Sequence, residues 1–349
     1  MTTAPRAVAA TPLPRPSSRA NRFRRRQGWV VGVAVLLGVL VFWRYSQIPA
    51  FGPFEIRGIV AGTMTLALLA MAQSVIVISG GIDLSVGAMM VLANCIAARL
   101  MLDQDLGPVV LIALGVVAVA MLLSGLIGLV AVAMILSGLI GLVTVVSGVP
   151  DIVVTLAASF ILAGLALVVL DGPGGGTNPR FQELLVGGFD QPLPALAWLA
   201  GVFLLVWVPF KRSRLGIATY AVGSDRAAAF LSGVRVGRTR VVAYVLGGFF
   251  SGMAGVVTTA FTGSGEPRAS IGATATLTSV AAVVLGGVAL MGGSGTLLGP
   301  VLAAFCLSLI PPLMLGLGWD PNYAEVARGI IIIVVVMIGG LVQVPRRSR

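Results

Sequence analysis

The sequence predicts an all-α polytopic membrane protein of about ten transmembrane helices, with the N- and C-termini both cytoplasmic. Three observations carry that reading. Of 349 residues, 58% are hydrophobic and only 10% are charged, against about 25% charged residues in a soluble domain. The apolar residues gather in runs long enough to cross a bilayer core of roughly 30 Å. Most of the 23 Lys and Arg residues lie in three clusters: the tail up to Arg26, the stretch Lys211–Arg240, and Arg346, Arg347 and Arg349. Short loops rich in Lys and Arg resist translocation, so all three clusters belong on the cytoplasmic face. The net charge of +11 therefore reports topology rather than a nucleic-acid footprint, and no nucleic-acid partner is expected.

Residues 1–27, rich in Pro, Arg, Ala and Ser, are expected to form a disordered basic cytoplasmic tail. No small-residue cleavage site followed by a polar sequence suggests a leader. The transmembrane domain is expected over residues 28–344, with residues 345–349 a second basic tail. The first span, Gly28 to Trp43, leaves the cytoplasm, and Trp43 and Tyr45 sit at interfacial depth. The second, Gly58 to Ser79, returns inward and meets Ser79-Gly80-Gly81-Ile82-Asp83-Leu84-Ser85-Val86-Gly87. Gly80 and Gly81 break the helix, and a broken helix is tolerated at membrane depth only where it is buried in protein or lines a cavity. Asp83 reads in two ways: as an N-cap for the next helix or as an intramembrane functional acid.

The third span runs to Leu102, and Asp103-Gln104-Asp105 turns outward. Val109 to Ser147 is then an uncharged run of 39 residues, about 58 Å as a helix. It contains a tandem repeat in which Ala118–Val130 recurs as Ala131–Val143, differing only at Leu122 against Ile135. The length just allows two crossings. Two crossings would turn the Lys211–Arg240 loop outward, so a single overlong crossing is expected. Its small-residue faces suit close helix packing, and the repeat reads as a local duplication, not a solenoid. The fifth span starts at Pro150-Asp151 and ends at Leu170, and Asp171 to Pro194 is expected to be an outward loop. The sixth span ends near Phe210.

Lys211 to Arg240 holds seven basic residues and one acid, Asp225. Its middle, Ser224 to Gly233, is expected to form a short amphipathic helix at the cytoplasmic face, where an intracellular partner makes contact. The seventh span, Val241 to Phe261, carries Gly247, Gly248, Gly252 and Gly255 for tight packing, and an outward segment runs to about Ala275. Gly286 to Gly293 reads as a second break, with no strand leading into it as a dinucleotide site would require. The ninth span reaches Gly318. Asn322 and Glu325 resemble a capping box for the tenth, which ends at Val344.

Several function classes are excluded. The chain has no histidine and one lysine, Lys211, so it has no P-loop and lacks the commonest metal ligand. Cys95 and Cys306 stand alone in apolar runs as core residues. No cluster of nucleophile, base and orienting group points to an enzyme, and neither a metal nor a cofactor is expected in this chain.

The run Ser79 to Gly87 closely resembles the signature of permease subunits of bacterial ATP-binding-cassette sugar importers of the ribose/xylose/galactose type. Gly223, Ala228, Ala229, Leu231, Ser232 and Gly233 match that family's cytoplasmic loop in register. Ala281 to Gly287, with Gly292, Gly293, Gly295, Thr296 and Gly299, matches its C-terminal glycine-rich segment, and Arg328-Gly329 resembles a basic-Gly pair in the last span. Asp225 stands where the family usually has Asn and Phe230 where Arg is common. Thr276 and Thr278 replace acidic residues, and Pro311-Pro312 falls where an Asn-rich stretch is expected. The resemblance implies a multi-pass protein of the bacterial inner membrane, two permease copies forming a pathway in lipid, an extracytoplasmic sugar-binding protein and a cytoplasmic ATPase that hydrolyses ATP. It implies that Gly223, Ser224, Asp225, Ala228, Ala229, Leu231, Ser232 and Gly233 couple to the ATPase. It also implies that Gly80, Gly81, Asp83, Ser85, Gly286, Gly287 and Gly293 shape the pathway for a monosaccharide. Alternatives from the residues are an ion-coupled secondary transporter, for which only Asp83 qualifies as a coupling acid, a permease for nucleosides or branched-chain amino acids, and a non-transporting scaffold.

Overall fold

The fold is given by a computed structural model that describes residues 19–48, 51–111, 151–320 and a few helical positions between 323 and 337. Among these residues the only β-pairing is an isolated bridge between Gly174 and Gly265. The tandem repeat, Pro150, the Asn322–Glu325 box, Arg328 and the C-terminal tail lie outside the described residues.

Among the described residues, six helices are long and apolar enough to cross a membrane. They belong to α1 (Arg19–Gln47), α2 (Pro53–Ile78), α4 (Asp151–Val169), α6 (Leu193–Arg212), α9 (Val236–Thr262) and α11 (Leu298–Gly316). Two apolar helices are shorter, α3 (Val86–Leu100) and α10 (Ala269–Leu285). The remainder are α5 (Pro179–Val186), α7 (Arg214–Ser224) and α8 (Arg226–Leu231). A π-turn at Phe203–Trp207 interrupts α6, and α11 bends at Leu309.

The core is built around α2, whose residues from Ala67 to Ile78 are all buried. Its other main neighbour is α9, which packs on both α2 and α3. Small residues bring these backbones close. Gly255 lies against Met90, Ala93 and Asn94 of α3, and Gly247 against Ile76 of α2. In lipid, tight packing of this kind replaces the hydrophobic drive that water gives a soluble bundle.

The connections sort to two opposite ends. At one end, Arg57 donates to the Gly187 carbonyl (3.1 Å) and Phe54 stacks near Phe189 (4.5 Å). There Asn178 donates to the Gln104 carbonyl (3.1 Å), and Gly174 pairs with Gly265. Arg44 joins this end through Glu55 (2.7 Å) and the Pro312 carbonyl (2.9 Å). At the other end Trp29 donates to the Leu285 carbonyl (2.8 Å), and residues 79–85, 213–235 and 286–297 gather.

Several expectations are corrected. The first membrane-length span begins at Gly28 as expected, but its helix α1 starts at Arg19, inside the stretch expected to be disordered, because Arg and Gln extend a helix at little cost. The Asp171–Pro194 loop contains α5, started by the Asn178 side chain accepting from Arg180 N and by Pro179 in the first turn. The segment expected to stay outside to Ala275 is already helical from Ala269. The basic loop holds two helices rather than one, and the first, α7, is capped by Ser213 accepting from Gly216 N.

Candidate functional site

The interruption between α2 and α3 is non-helical backbone from Gly81 to Leu84, bent at Leu84, that turns helical at Ser85 and is reached through a turn at Gly80 (φ +81°). It climbs from the second end into the bundle. Gly87, in the first turn of α3, already touches the first two turns of α10: an added Cβ would overlap the Gly272 carbonyl oxygen. Thr276 fastens this crossing. Its hydroxyl accepts from Gly87 N (3.0 Å) and donates to the Gly272 carbonyl (3.0 Å). On the other side Leu84 N donates to the Thr155 hydroxyl of α4 (3.0 Å). The broken helix is thus buried in protein, as hydrocarbon depth demands.

Asp83 is fully buried. It is not the N-cap of α3; Ser85 holds that position. The Asp83 Oδ1 accepts instead from Ser85 N (2.7 Å) and Ser85 Oγ (2.6 Å), a local turn that fixes the break two residues earlier. Asp83 and Ser85 both point into packed protein, and Leu84 between them faces a cavity of about 370 Å³ bounded by α3, α4 and α10. A second cavity of about 380 Å³ lies on the other flank of α10, against α2 and α11, with Thr65, Thr274, Thr278 and Ser308 among its walls. Ser270 borders both. Helix α10 therefore separates two spaces, each with hydroxyl groups in its walls.

The expected coupling residues form α8 and its flanks. Asp225 caps α8 by accepting from Ala228 N (3.0 Å), Ala229 is buried beneath it, and Ser232 donates back to the Ala228 carbonyl (2.8 Å). Gly233, at φ +80°, ends the helix in open space. Ala228, Leu231 and Ser232 face outward.

The structure brings three expected stretches to one junction. Gly293 N donates to the Ile78 carbonyl at the end of α2 (2.9 Å). Gly223 is wedged between those partners, so that an added Cβ would overlap the Ile78 carbonyl oxygen and lie 2.6 Å from Gly293 N. A Cβ on Gly292 would fall 2.9 Å from both the Gly223 oxygen and the Gly80 Cα. Ser224 lies against Gly293, and Tyr220 donates to the Gly295 carbonyl (2.9 Å). Arg226, the first residue of α8, donates from Nη2 to the Gly80 carbonyl (2.7 Å). Gly80, Gly292 and Gly293 all have positive φ, which L-residues adopt only under strain. Carbonyls at the end of α2 that would lack helical partners are satisfied here by a glycine turn and a guanidinium.

Gly286 and Gly287 lie apart from this junction. Gly286 packs on Gly299 and Pro300, and Gly287 packs on the Trp29 ring. Gly81 donates to the Ile76 carbonyl (3.1 Å) and stays within its own turn. Arg226, Tyr220 and Thr276 were not expected as site residues. Arg226 lay inside the coupling loop, and its exposure gave no pattern to single it out.

The description "Branched-chain amino acid transport system / permease component" matches residues 56–336. The chain is 34% identical to the ribose import permease protein RbsC of Bacillus subtilis, over 82% of this chain and 84% of that one. It is 30% identical to the ribose import permease protein RbsC of Escherichia coli K12, over 89% and 94%. It is 27% identical to the fructose import permease protein FrcC of Rhizobium meliloti, over 88% and 83%. No solved structure matches significantly.

Proposed function

The chain belongs to the branched-chain amino acid transport system permease family, and from that premise we propose that it is the membrane permease subunit of an ATP-driven importer of a monosaccharide. It carries solute and is not itself an enzyme. The similarity to ribose and fructose permeases over four-fifths or more of the chain favours a sugar over the branched-chain amino acids of the family description. The six membrane-length helices suit a bacterial inner-membrane protein. The full topology in this reading has ten spans and two cytoplasmic termini, with residues 28–344 as the transmembrane domain between two basic tails. The end carrying α7 and α8 is the cytoplasmic one, because Lys211, Arg212, Arg214, Arg226, Arg235 and Arg238 are exposed there.

A cytoplasmic ATPase and an extracytoplasmic sugar-binding protein complete the importer, with two copies of this chain forming the pathway. ATP is bound by the ATPase, and this chain holds no cofactor. The observation that carries the mechanism is the junction of Gly223, Ser224 and Arg226 with Ile78, Gly80 and Gly293. A push on Gly223–Gly233 reaches the broken helix through these backbone contacts. The broken helix carries Gly80, Gly81, Asp83 and Ser85 to the wall beside α10. Gly286 and Gly287, at the end of α10, and Gly293, which ties the following turn to α2, complete the residues that shape the pathway. No flexible side chain intervenes at the Gly223 contact, so little of the motion is lost.

The test is reconstitution. Proteoliposomes holding the chain with its ATPase, and supplied with binding protein, are expected to accumulate labelled ribose or fructose only with ATP. Uptake driven by an ion gradient without ATP would support a secondary transporter instead. Uptake of leucine but of neither sugar would support the amino-acid reading.

A further inference from the structure

The glycine-rich turn from Ala289 to Gly295 has one residue out of keeping with its surroundings. Met291 is 86% exposed, at the end of the molecule where the basic helices α7 and α8 lie. Its neighbours Gly292 and Gly293 are locked against Gly223 and Ser224, immediately before α8. On α8 itself Phe230 and Leu231 are 70% and 84% exposed. Three large apolar side chains are thus exposed on two segments whose backbones meet where Gly292 and Gly293 lie against Gly223 and Ser224. Exposed apolar groups grouped on a polar face mark a protein contact, and methionine suits an interface because it adapts to its partner's shape.

The geometry points to the Ala289–Gly295 turn, with Met291 at its tip, as a second docking element for the cytoplasmic ATPase, continuous with α8. This rests on the coupling role assigned to α8. The occupant follows from that continuity: the turn cannot move relative to the start of α8 without breaking the Gly293–Ile78 hydrogen bond and the Gly223 wedge. A body seated on Leu231 is therefore held in fixed register with Met291. The exposed Arg226, Arg235 and Arg238 around α8 call for an acidic rim on that partner and an apolar cleft within it. Two anchors resist rotation of the seated subunit where one helix of six residues would act as a pivot.

The test uses the full chain with the ATPase subunit that restores its uptake. Met291→Asp and Leu231→Asp are each expected to lower association with that ATPase at least tenfold. Met291→Cys, in a protein whose native Cys95 and Cys306 are buried, is expected to react with an impermeant maleimide in inverted vesicles and to be protected when the ATPase is bound. Wild-type association of Met291→Asp, with Leu231→Asp defective, would overturn the second element and leave the coupling role of α8 standing. So would Met291→Cys labelling that the ATPase does not change, or that is blocked by lipid alone. Wild-type association of both Asp variants would instead remove the coupling role on which the inference rests.

Discussion

Replacing Gly223 by alanine tests the junction with one methyl group. The added Cβ overlaps the Ile78 carbonyl oxygen and sits 2.6 Å from Gly293 N. Both obstacles are backbone, so neither yields by a change of rotamer. Overpacking of this kind costs about 1–3 kcal/mol. The backbone hydrogen bond it separates, Gly293 N to Ile78 O at 2.9 Å, leaves a donor unsatisfied at a further cost of about 1–3 kcal/mol. A total of about 2–6 kcal/mol shifts the closed junction toward open by at least about one power of ten, since each tenfold is about 1.4 kcal/mol. The control is Gly201→Ala in α6, where no described residue lies within 4 Å of the added Cβ. ATP-driven sugar uptake and ATP hydrolysis are measured together in proteoliposomes. Gly223→Ala is expected to lose at least tenfold in sugar moved per ATP hydrolysed, with its ATPase still bound, whereas Gly201→Ala keeps the wild-type ratio. A Gly223→Ala variant that imports sugar at the wild-type ratio would refute mechanical transmission through this contact.

Arg226→Met keeps the aliphatic stem and removes the donor to the Gly80 carbonyl. It is expected to lower uptake several-fold with ATPase association intact, and Arg226→Lys to restore part of it. The Gln73 amide is fully buried in α2 with no hydrogen-bond partner among the described residues, so Gln73→Leu is expected to raise stability by about 1–3 kcal/mol in a thermal melt of the detergent-solubilised protein; a lower melting temperature would show that the amide holds a partner, such as water. The Glu266 carboxyl pKa is lowered chiefly by hydrogen bonds from Arg268. The pair therefore stabilises the fold above the ordinary carboxylate value, and that contribution fades as pH falls through the lowered one. Arg268→Ala is expected to make the acid limb of a stability–pH profile shallower by a small, salt-sensitive amount, and an unchanged limb would refute the pairing.

The helices and their order were legible because long apolar runs and scarce charges admit few other readings. The breaks at Gly80-Gly81 and after Leu285 were legible because adjacent glycines end helices. Helix α5 was missed although Asn178-Pro179 is a helix start, because the glycines around it read as loop. Helix α7 was missed because three basic residues in and around Lys211–Arg214 outweighed the Ser213 cap. The junction itself was not legible. Arg226 and Gly80 are 146 positions apart, and Ser224 and Gly293 are 69 apart; no local pattern records which glycines meet. Thr276, conspicuous in sequence only as a substituted acid, proved to be the fastener between α3 and α10.

The sidedness of the two ends decides whether an ATPase can reach α8 at all. Glu183, exposed on α5, and Ser232, exposed beside α8, lie at opposite ends, and each can be changed to cysteine singly. In intact cells an impermeant maleimide is expected to label Glu183→Cys and not Ser232→Cys, and in inverted vesicles the order reverses. Labelling of Ser232→Cys from outside intact cells would contradict the account.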